Sequence, residues 1–256
     1  MNLKEKLSIG ELTVGSWITL AHPAIPEIMA KAGFDWLTVD LEHSVITIRE
    51  AEELIRVIDL CGVVPLVRLS ANDPVQIKRV MDAGAHGVIV PMVNTAEDAR
   101  KAVEAVRYPA EGKRGVGLAR AQGYGSSFEK YKNWVNRESI VIVQVEHIEA
   151  VENLDAIMSV EGVDGFIVGP YDLSGSLGVP GNFQNRLMLD AMNRIKDFIK
   201  SSSKVAGIHV VEPDIIQLQE RIKEGYKFIA YSLDIRMLDN VCRSTVDLLK
   251  NLNSKA

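Results

Sequence analysis

The segment VVPLVRLSANDPVQIKRVMDAGAHGVIV, residues 63–90, decides the fold. Two short apolar runs rich in β-branched residues, 63–69 and Gly87–Val90, flank a longer amphipathic stretch. Such runs read as buried strands, and the stretch between them as a helix. Asp73-Pro74 reads as an N-cap followed by proline at the first helical position, and Gly84 closes the helix. Strand, crossover helix and strand in this order imply a parallel pair.

The same alternation extends in both directions. Upstream, strands are predicted at 13–20 and 36–41, with helices at 25–32 and 48–61 closed by Gly33 and Gly62. Downstream, Thr95-Ala96-Glu97-Asp98 reads as a capping box. Strands follow at 139–145, Gly165–Val168, 205–209 and 228–231, with helices at 151–158, 187–200, 214–224 and 237–252. Eight βα units in 256 residues predict one closed (β/α)8 barrel domain spanning 1–256. A doubly wound open sheet is the alternative. It lacks support, because neither G-x-G-x-x-G nor G-x-x-x-x-G-K follows any strand.

One stretch breaks the rhythm. Residues 108–137 contain no predicted strand but hold five glycines and five aromatics. Six Lys or Arg against two Glu make this loop +4, which leaves −9 for the rest of a chain whose total is −5. A loop this long is expected to serve as a lid or a subunit contact. The negative remainder excludes a nucleic-acid surface over the chain. Apolar residues at 47% and charged residues at 25% fit a soluble globular protein. No apolar run reaches the ~18 residues of a membrane span, and the N-terminus does not read as a signal peptide. A cytoplasmic protein is therefore expected, with Cys61 and Cys242 as buried, reduced thiols.

Chemistry on a barrel sits at the C-terminal ends of its strands. Strand two ends Asp40-Leu41-Glu42-His43, strand three ends in Arg68, strand five ends Gln144-Val145-Glu146, and strand six runs into Gly169-Pro170-Tyr171-Asp172. A period of two puts Asp40 with Glu42, and Gln144 with Glu146, on one face. Taken singly, Arg68 could simply pair with Asp40 or Glu42, and Glu146 and Asp172 could cap helices or turns. At four strand ends of one barrel they define a site. Glu146 and Asp172 offer hard oxygen ligands for an open site that suits Mg²⁺ or Mn²⁺, with other divalent ions also able to fit. Arg68 suits a carboxylate or enolate oxygen, and His43 a proton shuttle. No predicted strand ends in lysine, so a metal route to a carbanion is preferred over a Schiff base. Asp82, His22 and His209 are weaker candidates.

These pieces, with Gly33-Phe34-Asp35-Trp36, Pro65-Leu66-Val67-Arg68, Gln76 through Gly84, Lys113-Arg114-Gly115-Val116-Gly117 and Gly169 through Ser174, resemble the HpcH/HpaI aldolase family along nearly the whole chain. The resemblance implies a class II pyruvate aldolase acting on a 4-hydroxy-2-oxo acid, with a small oxo-acid and an aldehyde as partners. It implies His43 as general base, Arg68 at the enolate, and Asp82 from a neighbouring subunit supporting the histidine. Gln144 and the Tyr171 backbone N–H would bind the oxo-acid, and Glu146 and Asp172 the metal (Mg²⁺ or Mn²⁺, or else Co²⁺ or Zn²⁺). Asp40 and Glu42 would support them. It further implies a hexamer, a trimer of dimers that exchange the helix at 234–252. Leu41, Tyr171 and Ser232 depart from the family pattern, which bears on the acceptor pocket. A related condensation with an acyl-CoA is the runner-up, its phosphates resting on Lys113, Arg114 and Arg120. A non-catalytic binding protein is the third reading.

Overall fold

The computed structural model of the chain describes residues 1–253. Eight strands form a closed barrel in sequential order, β1 (Thr13–Ile18), β2 (Trp36–Asp40), β3 (Val64–Arg68), β4 (Gly87–Val90), β5 (Ile140–Val145), β6 (Gly165–Val168), β7 (Val205–Val210) and β8 (Phe228–Leu233). Every pairing is parallel. The helices are α1 (Leu3–Ser8), α2 (Ala24–Lys31), α3 (Ile48–Leu60), α4 (Pro74–Asp82), α5 (Ala96–Val106), α6 (Phe128–Glu138), α7 (Ile148–Glu152), α8 (Leu154–Met158), α9 (Pro170–Ser176), α10 (Arg186–Ser201), α11 (Ile215–Lys223) and α12 (Asp234–Asn253).

The predicted start signals operate as read. The Asp73 carboxylate accepts from the Val75 and Gln76 N–H groups ahead of α4, and Thr95 and Asp98 form a reciprocal capping box ahead of α5. Alternation along each strand divides the apolar residues into two cores. One packs between barrel and helices, with Val39, Val67, Val88 and Val143 facing outward to α3, α4 and α5. The other fills the barrel interior with Trp17, Trp36, Leu66, Ile89, Ile142, Ile167 and Phe228. Trp36 stacks on Phe228 at 4.2 Å. Gly15 makes that possible, because a Cβ there would lie 2.0 Å from the Trp36 ring.

Besides the unpredicted short helix α9, four features differ from the sequence expectation. Helix α1 was not anticipated. Its Leu3 and Leu7 join the interior core, so a six-residue helix acts as a plug for the barrel. The 108–137 stretch is not one loop. It holds a 3₁₀ turn at Arg120–Gly125 and all but the last residue of α6, whose Tyr131 and Val135 are buried. The aromatics that made it look like a lid are partly wall. The helix predicted at 151–158 is two short helices, α7 and α8, meeting at Asn153. Cys61 and Cys242 are exposed free thiols rather than buried ones. Cys61 is the C-cap of α3, and Cys242 lies on α12, whose side chains stand mostly in the open.

Candidate active site

Side chains from the strand ends converge on a cavity of about 400 Å³ lined by Trp17, Asp40, His43, Arg68, Gln144, Ile167, Gly169, Tyr171, Asp172 and His209, among others. Register builds its first element. Asp40 and Arg68 are direct neighbours across β2 and β3. Arg68 Nε donates to Asp40 Oδ1 at 2.8 Å, and its Nη2 to Oδ2 at 2.6 Å. The forked pair fixes the guanidinium plane. Trp17 supports that plane from beneath, with its ring 4.4 Å from Arg68 Cζ. The third nitrogen, Nη1, lies 3.3 Å from Glu42 Oε2. Asp40 is 1% exposed, and its Oδ1 also accepts from the backbone N–H groups of Glu42 and His43. One buried carboxylate thus orients the arginine and folds the turn that carries His43.

His43 stands at the rim. Its side chain is 62% exposed, and its Nε2 is 4.0 Å from Glu42 Oε2. On the opposite wall, Glu146 is nearly buried. Its Oε1 accepts from the Met92 N–H at 2.7 Å, and its Oε2 accepts from the Gln144 amide, which also donates to Glu42 Oε2 at 3.2 Å. Desolvation pushes the Glu146 and Glu42 carboxyls above their ordinary value of 4.5. The neighbouring Asp172 adds to the effect at Glu146, and Arg68 opposes it at Glu42.

No Lys or Arg pairs directly with Glu146 among the described residues, which is costly for a buried carboxylate. The surroundings fit a divalent cation. Gly169 leaves a gap where a Cβ would lie 3.2 Å from Glu146 Oε2 and 4.0 Å from Asp172 Oδ2, so the two carboxylates share one space. Gln144 Oε1 is buried without a partner at the same place. Among the described residues no three His, Cys, Asp or Glu side chains group closely enough to enclose a metal alone. Two carboxylates leave the remaining positions to water and substrate, as an open oxygen-rich site requires. Asp172 is held in the first turn of α9 by Pro170 at its start. Tyr171 is 57% exposed at the mouth, with its ring edge-on to Phe183 at 5.0 Å.

Residues 13–240 match the family model described as HpcH/HpaI aldolase/citrate lyase. The chain belongs to this family. A hydroxypyruvate/pyruvate aldolase from Roseobacter denitrificans is 39% identical, over 94% of this chain and 94% of its own length. A 2-keto-3-deoxy-L-rhamnonate aldolase from Escherichia coli K12 is 36% identical, over 97% and 92%. The crystal structure of an HpcH/HpaI aldolase/citrate lyase family protein from Burkholderia cenocepacia has a TM-score of 0.91 and 32% identity, covering 97% of this chain and 98% of that one. As a family member with aldolase relatives along almost its full length, the chain is a carbon–carbon lyase of the pyruvate aldolase type. No helix among the described residues is long and apolar enough to cross a membrane.

In this HpcH/HpaI chain, eight of the nine residues to which the resemblance gave a role meet around the cavity: Asp40, Glu42, His43, Arg68, Gln144, Glu146, Tyr171 and Asp172. Asp82 does not join them. It ends α4, at the far end of the barrel, and binds the buried Arg114, which is held between Tyr108 and Tyr131. The three loop cations of the acyl-CoA reading are engaged as well. Lys113 pairs with Glu104 at 2.7 Å and Arg120 with Asp59 at 2.7 Å, and neither they nor Arg114 line the cavity. The acyl-CoA reading therefore loses the phosphate rim it required.

Among the cavity residues that the sequence reading missed or undervalued are Trp17 and His209. Trp17 points inward from β1, and the alternation of Thr13, Gly15 and Trp17 already carried that signal. His209 was seen only as a weak candidate. It lies inside the barrel, where burial lowers its imidazole to about 4. Below pH 6.5 the unfolded chain takes up a proton that folded His209 refuses until about pH 4, so this residue removes stability on acidification. Glu42 and Glu146 act in the opposite sense. Their folded carboxyls retain protons that the unfolded chain releases near 4.5, so they remove stability as pH rises above that value. His209→Leu is accordingly expected to lose less stability than wild type between pH 6.5 and 4.5. Urea midpoints across that range measure it, and parallel curves for the two proteins would contradict the assignment.

Proposed function

We propose that this chain is a divalent-metal-dependent aldolase that cleaves or forms the C3–C4 bond of a 4-hydroxy-2-oxo acid, with pyruvate and an aldehyde as the other side of the reaction. The observation that carries this reading is the pairing of an Asp40-locked Arg68 with the Glu146–Asp172 carboxylates around one cavity. In the cleavage direction, His43 takes the proton of the 4-hydroxyl, directly or through water. The C3–C4 bond electrons move onto C3, the aldehyde departs, and the three-carbon fragment is left as the enolate of pyruvate. Arg68 donates to the enolate oxygen through its Nη groups, already oriented before substrate arrives. Gln144 and the Tyr171 N–H orient the carboxylate of the acid. A proton returned to C3 completes pyruvate. Glu146 and Asp172 would hold the cation, which when bound neutralises charge on the oxo-acid oxygens; Mg²⁺ or Mn²⁺ suits these ligands.

The test is pyruvate condensation with a panel of aldehydes, before and after dialysis against EDTA. Activity is expected to disappear in chelator and to return with Mg²⁺ or Mn²⁺. Full activity in chelator would remove the metal from this scheme.

We further propose that the working form is an oligomer, a hexamer built from dimers that exchange α12. This 20-residue helix leaves Leu238, Val241, Leu248 and Leu252 each more than half exposed, a stripe that one chain does not cover. Asp82 could reach a His43 only on a second copy. Val241→Glu with Leu248→Glu is expected to reduce the particle mass, as read by light scattering after size exclusion. An unchanged mass would separate α12 from assembly.

A further inference from the structure

A second cavity, also of about 400 Å³, lies between α3, the 3₁₀ turn and α6. It shares no lining residue with the first. Gly84 and His86 in its wall precede β4, so it sits toward the N-terminal ends of the strands, away from the catalytic mouth. We propose that this cavity binds a small aromatic carboxylate, with the carboxylate at Lys130 and the ring against Trp134. This site stands independently of the aldolase reading.

The lining supplies one net positive charge. Arg120 and Lys130 are its cations, and Asp59 is its carboxylate. Arg120 Nη2 donates to Asp59 Oδ2 at 2.7 Å, so these two charges answer each other. Lys130 pairs with no carboxylate among the described residues; the neighbouring Glu129 pairs with Lys132 instead. His86 adds no charge at neutral pH, since desolvation lowers its imidazole below the ordinary 6.5. One uncompensated ammonium at a cavity suits a monoanion.

The rings in the wall narrow the class of that anion. His86 stands edge-on to Trp134 at 5.0 Å, and Trp134 stacks with Tyr131 at 5.5 Å. Tyr131 is buried, whereas Trp134 is half-buried and borders the cavity, so part of the indole is open to an occupant. An aromatic acid meets both features at once, its ring on the indole and its charge on the ammonium. An aliphatic acid meets only the charge.

The cavity is shaped by unusual backbone. Arg120 can enter because residue 84 is glycine: a Cβ there would lie 2.1 Å from Arg120 Nη1, and Gly84 adopts φ 102°. From that position Nη1 donates to the Ala83 carbonyl at 3.1 Å. The arginine thus ties the 3₁₀ turn to the ends of α3 and α4 and forms one side of the cavity. Within the turn, Gly123 and Tyr124 take φ 59° and 56°, and the left-handed form is unfavourable for tyrosine. Strained backbone of this kind concentrates at ligand sites.

The experiment is a calorimetric titration of the metal-loaded full-length protein with benzoate. One site per chain is expected, with acetate binding at least about fivefold more weakly. Lys130→Glu is expected to lower the benzoate affinity about tenfold or more, and Lys130→Arg to retain most of it. Trp134→Leu is expected to lower it about fivefold. Lys130 is exposed, so its variants decide should Trp134→Leu fail to fold. Saturating pyruvate is expected to leave the benzoate affinity unchanged. Absence of binding, equal affinity for acetate, indifference to Lys130→Glu, or displacement of benzoate by pyruvate overturns the proposal, the last by placing the benzoate at the catalytic mouth.

Discussion

Glu146→Gln is expected to lower kcat/KM by about 10³-fold or more while the barrel stays folded. The substitution keeps volume and shape and removes one charge. Its Oε1 still accepts from the Met92 N–H. Its new amide group would face the Gln144 amide, and a flip of Gln144 resolves the clash, because Gln144 Oε1 has no partner in the wild-type site. Burial already works against ionisation of Glu146, so the neutral amide costs the apo fold little. The loss is therefore one of charge toward the cation, and it separates function from folding. Turnover, Mn²⁺ titration by calorimetry and Tm measured together check it. Near-normal turnover with tight Mn²⁺ binding would take Glu146 out of the ligand set.

Asp40→Ala carries the second large effect, and here folding and activity fall together. Removing this carboxylate strips Arg68 of its two short hydrogen bonds in a site where the arginine side chain is only 13% exposed. It also leaves the Glu42 and His43 N–H groups without their acceptor. Breaking one side of a buried pair costs about 3–5 kcal/mol, which in a chain of this size is a Tm loss of about 10 °C. Activity is expected to fall by about 10²–10³-fold, because Arg68 is no longer preorganised and the turn bearing His43 loosens. The double variant Asp40→Ala with Arg68→Ala should be less destabilised than the sum of the two single variants, since it leaves no orphan charge. Strict additivity in urea denaturation would show that the pair is uncoupled.

The barrel was legible because its signals are local and repeated. Alternation within each strand, caps such as Asp73 and Thr95, and closing glycines such as Gly33, Gly62 and Gly84 each report on a few neighbouring residues. Eight repetitions leave little freedom in the topology. The site was legible for the same reason. Once strand ends are assigned, Asp40, Arg68, Gln144 and Glu146 must point into one mouth. Tyr108 to Arg137 was harder, since its helix α6 is polar over much of its length and is held by Tyr131 and Val135 packing on distant elements. Helix α1 was missed because six residues carry too short a pattern, and its purpose is to close a barrel made elsewhere.

What the sequence determined by itself was the order of strands and helices and the set of polar side chains at the strand ends. Both follow from periodicity, which is a property of neighbours along the chain. The tertiary structure alone decided the states of those side chains. It made Asp40 the partner of Arg68 through strand register, and it gave Glu146 the Met92 N–H from the turn after β4. It turned the Ser232 carbonyl onto His209. Burial, protonation and tautomer depend on atoms brought together from strands far apart in sequence, and electrostatic energies inside a protein are set by those surroundings rather than by the residue's own identity.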